Sequence, residues 1–132
     1  MDSAIAGDCI ASLDSPGANH FPTAIIAPTA TQMLVAYGNN TGPVHQIYSY
    51  TVSATTIGSP VLAFNNTSVL QGISYMAMDS EGYIYVASAA STFNTIEKMS
   101  FDSVTGLLTR VGSAPFISPN VFTRSVSGIV VD

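Results

Sequence analysis

The sequence predicts an all-β chain. Three observations carry this. Helical periodicity is nearly absent, short apolar or alternating runs recur between turn residues, and those runs are rich in Val, Ile, Thr, Tyr and Phe. Each run has the length of a strand and none approaches the roughly 18 apolar residues that a membrane-spanning helix needs.

In chain order, the first segment is Ala24-Ile25-Ile26-Ala27. Gln32 to Tyr37 follows, closed by the turn-forming Gly38-Asn39-Asn40-Thr41-Gly42-Pro43. Val44 to Val52 alternates, with His45, Ile47, Ser49 and Thr51 on one face and Gln46, Tyr48, Tyr50 and Val52 on the other. Tyr83-Ile84-Tyr85-Val86-Ala87 is the clearest strand. Thr95 to Phe101 alternates again, and Leu107 to Val111 and Gly128 to Val131 complete the set. Asp79-Ser80-Glu81-Gly82 and Asp102-Ser103-Val104-Thr105-Gly106 each start with an Asp that can bond its own backbone. Each ends on a Gly free to take positive φ, so both read as hairpin turns.

The runs repeat. An offset of 51 residues lays Ala24–Pro28 on Tyr75–Asp79, Met33–Ala36 on Ile84–Ala87, Tyr48–Tyr50 on Met99–Phe101, and Ile57 on Leu108. Ile129-Val130-Val131-Asp132 then restarts the unit, matching Met76-Ala77-Met78-Asp79 at an offset of about 53. The chain divides accordingly into the tail of a preceding unit (1–22), one unit (23–73), a second (74–127) and the first strand of a third (128–132). A unit of about 50 residues with four short strands is a β-propeller blade, so the expectation is four-stranded antiparallel blades. In the second unit the strands expected are Ser74–Met78, Tyr83–Ser88, Thr95–Phe101 and Leu107–Gly112. The alternative is a small β-sandwich.

The stretch Met78-Asp79-Ser80-Glu81-Gly82-Tyr83-Ile84-Tyr85-Val86-Ala87, the strand Ile96–Phe101, and Asp102-Ser103-Val104-Thr105-Gly106-Leu107-Leu108-Thr109 resemble a blade of the lactonase-type (YVTN-like) seven-bladed β-propellers. Ser113-Ala114-Pro115-Phe116 resembles the family's inter-blade linker. The resemblance covers 74–132 well and 23–73 weakly, where Pro28-Thr29-Ala30-Thr31 replaces the Asp-initiated turn. The Asn that the family carries after its second strand is Ser88 here and Tyr37 in the first unit. The resemblance implies blade structure and, as one alternative function, hydrolysis of a sugar or muconate lactone. The motif itself describes blades and is not specific for that activity.

Composition limits the partners. Charged residues make up only 8% of the chain, with three Lys+Arg against eight Asp+Glu and a net charge of -5. Lys98, Arg110 and Arg124 are too few to neutralise a phosphate backbone, so nucleic acid and anionic membranes are not expected partners. The hydrophobic share of 47% excludes a disordered chain. Met1-Asp2-Ser3 lacks the basic and apolar stretches of a secretory signal. Nearly a quarter of the chain is Ser or Thr, Cys9 is alone, and Asn39, Asn65 and Asn66 each open a glycosylation sequon. These features point to an extracellular or surface-exposed protein. Cys9 reads as a small core residue, the alternative being an intermolecular bridge or a reactive thiol.

Chemical candidates are sparse. His20 and His45 are the only histidines, and no Cys cluster accompanies them, so neither a metal nor a cofactor is expected. Asp79 and Asp132 read as caps of turns, the alternative being a ring of carboxylates for Ca²⁺. No Gly-x-Ser-x-Gly elbow and no phosphate-binding loop occurs, and no residue is nominated as catalytic. If a ligand face exists, it is formed by the loops Gly38–Pro43, Ala89–Asn94, Asn65–Gly72 and Ser113–Ser127, with Arg124, Asn94 and Asn120 as its polar candidates. Propellers need four to eight blades to close, and this stretch supplies two whole ones. The expected function is therefore a non-enzymatic structural or interaction module. It would work by strand-edge self-association, as a ring or filament, or as part of a larger propeller. A glycan-binding propeller module is a further alternative.

Overall fold

The computed structural model describes residues 16–17, 20–39, 42–66, 68–89, 94–118 and 128–132. These residues form two four-stranded antiparallel sheets and no helix. The first sheet contains β1 (His20–Thr29), β2 (Gln32–Asn39), β3 (Gly42–Thr51) and β4 (Val61–Asn65) in that order. The second contains β5 (Ile73–Met78), β6 (Ile84–Ser88), β7 (Ile96–Asp102) and β8 (Leu107–Arg110), again in chain order. Every connection within a sheet joins neighbours, so each sheet is a simple meander.

The turns form as their sequences require. Asp79 Oδ1 accepts from the amides of Glu81 (3.1 Å) and Tyr83 (2.8 Å), and Gly82 then takes φ 86°. Asp102 Oδ1 accepts from the Val104 amide at 2.8 Å and its Oδ2 from the Thr105 hydroxyl at 2.8 Å, with Gly106 at φ 75°. An L side chain resists that conformation, which is why Gly closes both turns. Asp79 thus caps a turn, and among the described residues no three of His, Cys, Asp and Glu gather to hold a metal ion.

The repeat is visible in the hydrogen-bonded register. Ala24, Ile25 and Ile26 pair with Ala36, Val35 and Leu34; Tyr75, Met76 and Ala77 pair with Ala87, Val86 and Tyr85, all 51 residues later. Even the irregularity recurs: the ladder slips between Pro22 and Ala24, and again between Ile73 and Tyr75. A bulge at the same place in both sheets bends both first strands alike.

Two expectations need correction. In the third strands the offset is not 51. Leu34 pairs with Ser49 and Tyr85 with Lys98, so β3 and β7 correspond at 49 residues and Tyr48 matches Glu97 rather than Met99. The loop between second and third strands is two residues shorter in the second sheet, and an even change keeps each side chain on its face. Ile57 also does not match Leu108. It bridges to Val52 inside a long excursion between β3 and β4, and the fourth strand is Val61–Asn65. The second sheet replaces that excursion with the tight Asp102–Gly106 turn.

The sheets pack face to face, β1 against β5 and β4 against β8. Two stacked blades and a two-layer sandwich share this arrangement. The core between them is Leu34, Ala36, Ile47 and Ala63 of the first sheet with Met76, Ile84, Val86, Met99 and Leu108 of the second, closed by Leu70 and Ile73. Each Leu, Ile, Val or Met side chain among them, fully buried, contributes on the order of 1.5–3 kcal/mol.

Candidate functional site

The feature with most functional content is the way the two sheets meet. Strand pairing makes Leu34 and Ala36 the counterparts of Tyr85 and Ala87, and Met33 and Val35 the counterparts of Ile84 and Val86. The first sheet turns Leu34 and Ala36 toward the second, which turns Ile84 and Val86 toward the first. Unlike faces are therefore in contact. A symmetric pair would bring Leu34 against Tyr85. The head-to-tail arrangement leaves one face of each kind outward.

The outward face of the first sheet is rich in tyrosine. Val35, Tyr37 and Tyr50 are buried there, with Met33, Tyr48 and Ile57 packed around them. The hydroxyls of Tyr37 and Tyr50 bond each other at 2.9 Å, and Tyr48 meets Tyr37 edge-on with ring centroids 5.8 Å apart. Burial, then the Tyr37 hydroxyl, push the Tyr50 pKa far above its ordinary value. On the same face Ile25, paired with Val35, is 63% exposed.

The outward face of the second sheet has Tyr85, Ala87 and Ile96 at its centre, with Tyr83, Ile117, Ile129 and Val131 against them. Phe116 meets Tyr85 edge-on at 5.1 Å, and Lys98 Nζ lies 3.8 Å above the Tyr83 ring. The Tyr85 hydroxyl donates to Asp79 Oδ2 at 3.0 Å. Desolvation works to raise Asp79, but the Tyr83 amide, the Tyr85 hydroxyl, the Glu81 amide and the Lys98 charge together hold it below the usual carboxylate value. Bonding to Tyr85 holds Lys98 above its ordinary value. Lys98 and Asp79 therefore stay charged at neutral pH.

The loop end of the stack holds the expected ligand-face residue Asn94. Its Oδ1 is buried without a hydrogen-bond partner, as is Oγ1 of the adjacent Thr95. Nearby in the fold, where β6 ends, the Ser88 hydroxyl accepts from the Gln71 amide at 3.3 Å. Arg124 and Asn120 lie outside the described residues, so Asn94 stands without them. Cys9, and the side chains of Asn39 and His45, also lie outside. Asn65 and Asn66 are exposed at the end of β4, and Asn66 Oδ1 accepts from the Ser68 amide at 2.9 Å.

One buried ion pair was not anticipated from sequence. Glu97 Oε2 accepts from Arg110 Nε at 2.7 Å and Oε1 from Nη2 at 3.1 Å. Hairpin counting back from Gly106 sets Arg110 opposite Met99, one step diagonal from Glu97, and that signal could have revealed the pair.

No protein-family model, curated protein or solved structure matches the chain. The two outward faces and the loop end are thus read on their own chemistry. Among the described residues, no helix is long and apolar enough to cross a membrane.

Proposed function

We propose that this chain is a non-enzymatic structural module of propeller type, whose work is to extend a face-to-face stack of four-stranded sheets. The observation that supports the reading is the head-to-tail contact of the two sheets. A contact between unlike faces has no built-in end; repetition gives a ring if the rotation closes and a filament if it does not. The further sheets come from additional copies or from additional units of a larger propeller. The low charge of the chain and the exposed Ile25, Tyr75 and Phe116 on the two outward faces favour this over an enzymatic role. The abundance of Ser and Thr and the three sequons favour an extracellular or surface setting.

The test is the native mass and shape, by light scattering with negative-stain microscopy. Particles several times the 13.7 kDa chain, seen as rings or filaments, are the expected result. A stable monomer with a cooperative unfolding transition at all concentrations rejects the reading in favour of a closed sandwich.

A further inference from the structure

The same apolar step occurs three times along the chain, with three different degrees of cover. Ile25, Met76 and Ile129 hold one repeated position, at offsets of 51 and 53. Met76 is 4% exposed, part of the core that contains Leu34 and Ala36. Ile129 and Val131 pack on Tyr85 and Ala87, the counterparts of Leu34 and Ala36. Gly128–Asp132 thus lies on the second sheet much as β5 lies on the first. Ile25 is the exposed member, beside a shallow apolar cleft of about 360 Å³ lined by Pro22, Thr23, Ala24, Ile25 and Val35.

Gly128–Asp132 is held to the second sheet through the side chains of Ile129 and Val131. It belongs to no sheet and makes no backbone hydrogen bond to the described residues, and Val130 points away at 92% exposure. A cleft of about 350 Å³, bounded by Tyr85, Ile96, Phe116 and Ile129 among others, remains between it and the second sheet. At the edge of this face Tyr75, on β5, is 39% exposed.

Building on the structural reading above, we infer that the outward face of the second sheet receives β1 of a second copy of this chain, Ile25 entering where Ile129 lies. Gly128–Asp132 is a displaceable strap that competes for the same place. The occupant is a second copy because Ile25 carries, unfilled, the contact that Met76 makes within the chain. The joint is heterologous, so donor and acceptor faces can be blocked separately.

The test uses three full-length variants. Ile25→Asp blocks the donor face and Tyr75→Asp the acceptor face; both sites are exposed, and circular dichroism checks that each variant folds. Ile129→Asp loosens the strap. Sedimentation velocity over a concentration series is the readout. Each blocked variant alone is expected to remain monomeric, and an equimolar mixture to give a 1:1 complex and nothing larger. Ile129→Asp is expected to assemble at a concentration at least tenfold lower than the unchanged chain. If the unchanged chain assembles and Ile25→Asp and Tyr75→Asp assemble equally well, the inference fails while the structural reading stands. If Ile129→Asp assembles no more readily than the unchanged chain, the strap is refuted. If the unchanged chain and Ile129→Asp are both stable monomers that unfold cooperatively at every concentration, the inference and the structural reading fail together.

Discussion

Glu97 and Arg110 form a two-pronged ion pair in which only the arginine reaches water: the carboxylate side chain is 1% exposed and the guanidinium side chain 22%. Burial raises the Glu97 pKa, and the hydrogen bonds and charge of Arg110 oppose that rise. The two partners are therefore unequal. Arg110→Ala strands a buried carboxylate and is expected to cost about 2–4 kcal/mol at neutral pH. Glu97→Gln leaves a guanidinium that can turn to solvent, and about 1 kcal/mol is expected. Urea unfolding of both variants measures the asymmetry. A carboxyl with a raised native pKa contributes most when protonated, below its ordinary 4.5, and loses that contribution as pH rises through the native value. The Arg110→Ala penalty is therefore expected to shrink in acid.

Asp102 titrates with the opposite sign. The Thr105 hydroxyl, followed by the Val104 and Thr105 amides, holds its carboxyl below the ordinary 3.8. Such a group adds stability above its unfolded value and loses it as pH falls through the native one. Asp102→Asn is expected to be less stable than the parent at neutral pH and to converge with it toward about pH 2. Thermal unfolding of the pair across that range is the measurement.

The two turn glycines separate backbone strain from crowding. A Cβ on Gly82 meets nothing within 4 Å, whereas one on Gly106 lies 2.5 Å from Ser49 Oγ, at the contact between the sheets. Gly82→Ala is expected to cost about 1–2 kcal/mol from φ alone. Gly106→Ala adds about 1 kcal/mol or more of overpacking. Adding Ser49→Ala should return part of that excess and none of the φ cost, which a double-mutant cycle by denaturant unfolding resolves.

The paired hydroxyls of Tyr37 and Tyr50 should behave non-additively. Removing one leaves the other buried and unpartnered, so Tyr50→Phe is expected to cost about 1 kcal/mol or more. The double Phe variant should lie close to the parent. Equal and additive losses would show that each hydroxyl has another partner.

The strands of the second sheet were legible in the sequence because local signals agreed. Asp-initiated turns, Gly at positive φ and alternating apolar residues all set the same boundaries for β5 to β8. The first sheet was harder. The apolar Ile57 sits where a fourth strand was expected, but it serves the excursion from β3, and β4 begins only at Val61. Asn94 was legible as a loop residue by position alone. The burial of the Glu97 carboxylate, the tyrosine cluster and the exposed Ile25 depend on which face of a sheet meets which. Periodicity sorts side chains into two faces but does not say which one a neighbouring sheet will cover.

Val35 has its counterpart in Val86, yet around them the surroundings diverge. Tyr37, Tyr48 and Tyr50 on the first sheet stand where the second has Ser88, Glu97 and Met99. The backbone is duplicated and the joints are not. The joint between the sheets therefore carries its own chemical address, and replacing the second half of the chain with a duplicate of the first would preserve the strands while setting Tyr37, Tyr48 and Tyr50 in the places of Ser88, Glu97 and Met99.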